Sequence, residues 1–204
     1  LGLVTLYLVS PWRIGIGIAG TSAKRLLTFG IPFQANSFLA LLKDDLLTVF
    51  LGKILPFAEV GYIGWAKKWA EVPLRLIMDS VIRVTFPAFA RLQQEKKILG
   101  SAIEKTLFGL ALTIFPITTG LLFFIHPVVA IVPRYSKWEP ALFSFALFAV
   151  ASAVASLSTP LTNALNAVGR IKLTLQLMVI WTVSTWVLTT LLVFAIGFNG
   201  VALS

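Results

Sequence analysis

No cysteine occurs among the 204 residues. That excludes disulfides, thiolate-ligated zinc, iron–sulfur clusters and thiol catalysis. Histidine is almost as scarce, with His126 alone, so an imidazole metal site lacks a second ligand and a His-dependent triad lacks a relay. His126 precedes Pro127 near a span end and reads as interfacial or structural. Charge is sparse as well. Only 12% of residues are charged, against about 25% in a soluble domain. No P-loop, nucleophile elbow or pair of carboxylates on a soluble face is present. The short loops also leave little room for the acidic motif of a membrane-embedded transferase. The chain therefore reads as a non-enzyme with no cofactor.

What is abundant is apolar surface. The chain is 58% hydrophobic with a mean hydropathy of +0.92, the composition of an integral membrane protein. Its apolar runs are long and separated by short polar loops. A barrel would instead show segments of about 10 alternating residues. The expected fold class is all-α, a polytopic transmembrane helix bundle. Residues 1–25 read as the end of a preceding span plus a loop, with Thr21-Ser22 as a helix cap. Residues 26–204 read as the bundle, with spans at about 26–55, 60–90, 103–131, 141–168 and 173–196, and another opening at 200. The Leu-Gly-Leu start and Gly-Val-Ala-Leu-Ser finish read as cut ends of a larger transporter-sized protein.

Basic residues set the expected orientation. Loops one, three and five carry nine: Arg13, Lys24, Arg25, Arg91, Lys96, Lys97, Lys105, Arg170 and Lys172. The alternate loops carry three: Lys53, Arg134 and Lys137. The bias places the first, third and fifth loops in the cytoplasm. It also accounts for the net charge of +9 without invoking nucleic acid. Tyr135 and Trp138 suit an interfacial belt.

Charge inside the spans is the more informative feature. Lys67, Glu71, Arg75, Asp79 and Arg83 recur every fourth residue with alternating sign. Neighbours at i and i+4 share a helix face, and each step drifts by about 40°, so the charges trace a slow spiral stripe. One charge at mid-bilayer costs about 2.5–3.5 kcal/mol. Such a ladder should face a protein interior or a water-filled cavity. It reads as a cavity wall for an anionic or sugar-bearing cargo, against a self-neutralised ladder that only fixes packing. Arg75 is the leading phosphate contact because its fork takes two oxygens at once. Arg83, Lys67 and Lys43 are further candidates, while Lys67 and Lys68 near one end could simply snorkel.

Lys43-Asp44-Asp45 falls in the middle of the span before it. Three consecutive charges cannot share one helical face, so they are expected to face a lumen and pair with the charged helix. Asp44 or Asp45 could carry Na⁺ or a proton, or pair with Arg75 or Arg83; Glu71 and Asp79 join them as ion-coupling or pairing candidates. Asn163 and Asn166, preceded by Ser156, Ser158, Thr159 and Thr162, could bond sugar hydroxyls or hold helices together. Pro73, Pro116 and Pro160 lie within spans and permit kinks.

Several stretches in order carry a family resemblance. Gly61-Tyr62, Ala66, Pro73 and Phe86–Gln93 (FPAFARLQ) resemble the central region of bacterial polysaccharide-biosynthesis membrane proteins. These are the O-antigen and lipid-linked oligosaccharide flippases of the multidrug/oligosaccharidyl-lipid/polysaccharide exporter superfamily. Leu26–Phe33, Asp44-Asp45, Lys137–Ala141, Ser158–Arg170 and the closing GFNGVAL resemble other pieces in the expected order. Between Asp45 and Gly52 the spacing is about two residues longer than the family pattern. The resemblance implies the C-terminal lobe of a two-lobed exporter in the cytoplasmic (inner) membrane. It would act with the remaining N-terminal lobe and flip an undecaprenyl-pyrophosphate-linked saccharide by alternating access, with Na⁺ or H⁺ as candidate coupling ion. The alternatives are a cation-coupled multidrug exporter of the same superfamily, which the five intramembrane basic residues disfavour, and a non-transporting scaffold.

Overall fold

A computed structural model describes residues 20–204, apart from the side chains at positions 21, 22, 25 and 29. The stretch expected to end a preceding span thus lies outside the described residues. Every regular element within them is helical. Helix α1 (Gly20–Leu41) continues through a π-helical segment (Leu42–Leu46) into α2 (Leu47–Ile54). Helix α3 (Phe57–Ala70) is followed almost without interruption by α4 (Val72–Arg91). Then come α5 (Lys96–Ile131), a 3-10 turn (Ser136–Ala141), α6 (Leu142–Ala167), α7 (Ile171–Ile196), a second 3-10 turn (Gly197–Asn199) and α8 (Gly200–Leu203).

Three of these rods, 96–131, 136–167 and 171–203, are long and apolar enough to cross a membrane. The two that precede them carry the mid-span charges, and each is divided where its charges fall. The segment read as one span over 26–55 changes to π geometry at Leu42–Leu46, the stretch that contains Lys43-Asp44-Asp45. The segment read as 60–90 breaks at Glu71. There Pro73 has no N–H to offer the carbonyl of Trp69, so the α ladder is interrupted. Pro116 and Pro160, by contrast, sit within unbroken helices. Thr21 and Ser22 are already helical and do not cap a helix starting after them. Helix α5 begins at Lys96 rather than near 103, which shortens the polar loop to the turn over residues 92–95.

Helix α6 is the hub. Its buried positions include Phe145, Ala149, Ala153, Ser156, Pro160 and Ala164, spaced by three or four residues as one helix face requires. Most are small, and small residues let helix backbones approach closely where no hydrophobic drive separates protein from lipid. Against this face α3 and α5 contribute Trp65, Ala66, Ala70, Ile125 and Val129. Met78 of α4 packs with Leu110 and Ile114 of α5 around Ala153. Leu47 and Leu51 of α2 meet Ile63 and Val193 of α3 and α7. Trp65 stacks on Trp138 with ring centroids 5.5 Å apart and planes 9° apart, which ties the 3-10 turn to α3.

Outside this core the surface is apolar. Phe108, Leu112, Phe123, Phe124 and Ile131 of α5 are all exposed, as are Leu177, Ile180, Val183 and Phe194 of α7. Bands of this kind along long helices suit lipid contact.

At the far end, Gly197 has φ +70° and turns the chain out of α7. Gly200 then lies so close to α7 that a Cβ there would collide with the backbone of Leu192 and Val193. Ser144 Oγ donates to Asn199 Oδ1 at 2.7 Å, and the hydroxyls of Thr189 and Ser204 lie 2.6 Å apart. These contacts fold the last turn back onto α6 and α7.

Candidate functional site: a charged and hydroxyl-lined cavity

The π segment is the local feature from which the site grows. An i→i+5 turn leaves carbonyls out of the regular ladder and is frequent at functional positions. Here side chains add bonds to two of its carbonyls. Trp186 Nε1 donates to Leu42 O at 3.3 Å, and Thr48 Oγ1 donates to Asp44 O at 2.7 Å. The altered winding leaves Asp45 exposed while Lys43 and Asp44 are half-buried.

Asp44 is the electrostatic centre. One oxygen, Oδ1, accepts from Lys67 Nζ at 2.9 Å and from Lys43 Nζ at 3.1 Å. The side chain of Lys43 is only 15% exposed, and its ammonium also lies 4.9 Å from the centroid of the Trp181 ring. A cation over an indole face is attracted by the ring quadrupole. Across the α3–α4 break, Arg75 Nη2 donates to Glu71 Oε2 at 2.8 Å. The group holds three cations against two carboxylates.

A cavity of about 570 Å³ opens beside this cluster. Lys43, Asp44, Lys67 and Glu71 form its charged end. The face of α6 supplies a different wall, with Ser152, Ser158, Thr159, Thr162 and Asn163. Thr159 and Thr162 donate their hydroxyl protons to Ala155 O and Ser158 O, so their lone pairs stay available as acceptors. Asn163 Nδ2 is buried without a protein partner, a donor placed on the cavity wall. Leu47, Leu51, Ile63, Phe148 and Trp181 add apolar area.

The predicted site residues divide. Lys43, Asp44, Lys67, Glu71 and Asn163 converge on the cavity. Arg75 does not line it; its side chain is 70% exposed and serves as the outer partner of Glu71. Along the stripe the charges pass from the cavity side at Lys67 and Glu71 to the exposed side of α4 beyond it, as the drift of about 40° per step expects. Asp79 and Arg83 consequently lie exposed on α4, and neither forms a salt bridge among the described residues. The partner of Asp44 is Lys67 rather than Arg75 or Arg83, so Lys67 is held in the cluster and does not snorkel. Asn166 is buried in the last turn of α6, off the cavity, with Oδ1 unpartnered. His126 is exposed on α5 and does not line the cavity.

Trp181, Trp186 and Ser152 were missed as site residues. The spacing of 148, 152, 155, 159 and 162 marks one α6 face by helical period, and that signal could have added Ser152. Nothing local pointed to the two tryptophans.

Residues 1–143 match the protein family described as "Polysaccharide biosynthesis protein". Among curated proteins, the chain is similar to the lipopolysaccharide biosynthesis protein WzxC of Escherichia coli (strain K12). The two are 28% identical over 165 residues, which cover 81% of this chain and 33% of that protein. It is also similar to an uncharacterized membrane protein in the cps region of Klebsiella pneumoniae, 24% identical over 153 residues, or 75% and 31% of the two chains. The chain thus spans about a third of the length of these relatives. No solved structure matches. The long apolar helices and these relatives together make it an integral, multi-pass membrane protein.

Proposed function

The chain belongs to the family of polysaccharide biosynthesis proteins, and from that premise we propose that it is part of a flippase for a lipid-linked saccharide. Its role is transport rather than catalysis. The observation that carries this reading is the polarity of the cavity: paired cations at one end, and hydroxyl and amide groups along α6. A pyrophosphate-linked saccharide has the matching chemistry, an anion joined to a hydroxyl-rich head. The head group would cross the cavity while the lipid tail stays in the bilayer.

In this reading Asp44 pairs with Lys43 and Lys67 while no cargo is bound. An arriving phosphate takes over those ammonium groups, since charge-assisted bonds to phosphate oxygens compete directly with a carboxylate. Asp44, released from Lys67, is then the group able to take up a proton or Na⁺. That places ion coupling at Asp44 rather than Asp45. The lobe not contained in this chain would close the cavity's other side. A multidrug exporter of the same superfamily would favour a more acidic site.

The test uses the absence of cysteine in this chain. Single cysteines at Thr159 and Asn163, in an otherwise Cys-free full-length parent, are labelled with a membrane-impermeant thiol reagent. Rapid labelling, slowed by a pyrophosphate-linked lipid saccharide, is the expected result. Labelling unaffected by that lipid would remove the cargo role of the cavity, and no labelling in folded protein would make it a packing feature.

A further inference from the structure

A second cavity, of about 550 Å³, shares no lining residue with the first and lies between the start of α5 and the end of α6. At about 100° per residue, Leu161 lies about 160° round α6 from Thr159 and Asn163. Its volume is within the range of small-molecule sites, about 300–1,000 Å³. Its lining is graded along the helix axes. Lys96 and Arg170 stand at the end where the α4–α5 turn and the α6–α7 turn meet. Leu99 and Ile103 of α5, and Leu161 and Leu165 of α6, lie one to two turns deeper.

Both cations are exposed, and neither forms a salt bridge among the described residues. Lys96 opens α5 and Arg170 immediately precedes α7, and neither helix has an acidic residue in its first turn. The surrounding turns add Arg91, Lys97, Lys105 and Lys172 against Glu95 and Glu104. This is the basic side of the protein, where an anionic lipid leaflet is attracted by each nearby Lys or Arg.

We propose that this groove binds an anionic glycerophospholipid of the cytoplasmic leaflet, its phosphate between Lys96 and Arg170 and an acyl chain along Leu99, Ile103, Leu161 and Leu165. The grading from cationic rim to aliphatic floor matches such an amphiphile end to end. A free phosphate would leave the floor unused, and a zwitterionic lipid would bring a quaternary ammonium beside the two cations. The bound lipid would clamp α5 to α6 beside the α6–α7 turn. The site does not depend on what the first cavity carries.

The full-length protein, purified in mild detergent and delipidated, is titrated with phosphatidylglycerol or phosphatidylcholine of identical acyl chains and read by native mass spectrometry. Phosphatidylglycerol should be retained at least about tenfold more strongly, a difference of about 1.4 kcal/mol. Lys96→Gln with Arg170→Gln should abolish that preference. The charge-conserving pair Lys96→Arg with Arg170→Lys should keep it, as should Arg134→Gln with Lys137→Gln at the other end of α5. Equal retention of the two lipids, or an unchanged preference in the Lys96→Gln, Arg170→Gln variant, would overturn the proposal. So would a groove that ignores phosphatidylglycerol and holds a prenyl pyrophosphate instead.

Discussion

Lys67 Nζ lies 2.9 Å from Asp44 Oδ1, and this bond joins the end of α3 to the π-helical segment 23 residues earlier. Because the same oxygen also meets Lys43 at 3.1 Å, one carboxylate is shared by two ammonium groups. Removing it has a different consequence from removing either lysine.

Asp44→Asn should therefore be more damaging than Lys67→Gln. The variant leaves two neighbouring cations without a counter-ion, whereas Lys67→Gln leaves Asp44 with Lys43. In the full-length protein, a lower melting temperature and lost export of surface polysaccharide are expected for Asp44→Asn, with Asp45→Asn close to wild type. The Lys67–Asp44 coupling itself is modest, about 0.5–1 kcal/mol by double-mutant cycle, because both side chains are more than a third exposed and intramembrane polar pairs average about 0.6 kcal/mol. Equal melting temperatures for the Asp44 and Asp45 variants would contradict this arrangement.

Arg75→Ala tests the demotion of the residue that sequence reasoning favoured. Its guanidinium lies outside the cavity and holds Glu71. Export should fall by less than it does for Lys67→Ala, and Glu71→Gln combined with Arg75→Ala should be no worse than Arg75→Ala alone. Complete loss of export from Arg75→Ala in well-inserted protein would restore it as a direct cargo contact.

Trp186→Phe isolates one hydrogen bond. Phenylalanine can keep the ring contact with Phe50, now at 5.5 Å between centroids, but cannot donate to Leu42 O. Losing that bond should cost about 1 kcal/mol. Thermal unfolding of the purified protein would register it, and Trp181→Phe, which retains an aromatic face for Lys43, should cost less.

Gly200→Ala should be poorly tolerated. The added methyl meets the backbone of Leu192 and Val193, which cannot swing aside as a side-chain tip would. Overpacking of this kind typically costs about 1–3 kcal/mol. Gly109→Ala is the internal control, since nothing lies within 4 Å of a Cβ there. A melting curve in which both variants behave alike would refute the close approach.

Much of this protein is legible in one dimension. The apolar runs identify 103–131, 141–168 and 173–196 as helices because a bilayer demands internally bonded backbone over a fixed thickness. The α6 wall could be read from helical period, since serine, threonine and asparagine recur on one face. The two division points were less accessible. The assigned helix ends at Glu71 beside Pro73, yet α5 and α6 run on through Pro116 and Pro160, so proline alone does not say where a helix breaks. The π turn at Lys43-Asp44-Asp45 has no sequence signature apart from the oddity of three adjacent mid-span charges.

By itself, then, the sequence determined the membrane class, the helices and the positions of charge, because composition and periodicity act locally along the chain. Which charges meet was decided only in three dimensions. Periodicity says which residues share a face, but not how far each helix is turned about its own axis towards its neighbours. That rotation follows from Trp65, Ala66 and Ala70 packing against Phe145 and Ala149, and from the drift of the charged stripe along α3 and α4. Together they bring Lys67 to Asp44, and they leave Arg75, Asp79 and Arg83 outside the cavity.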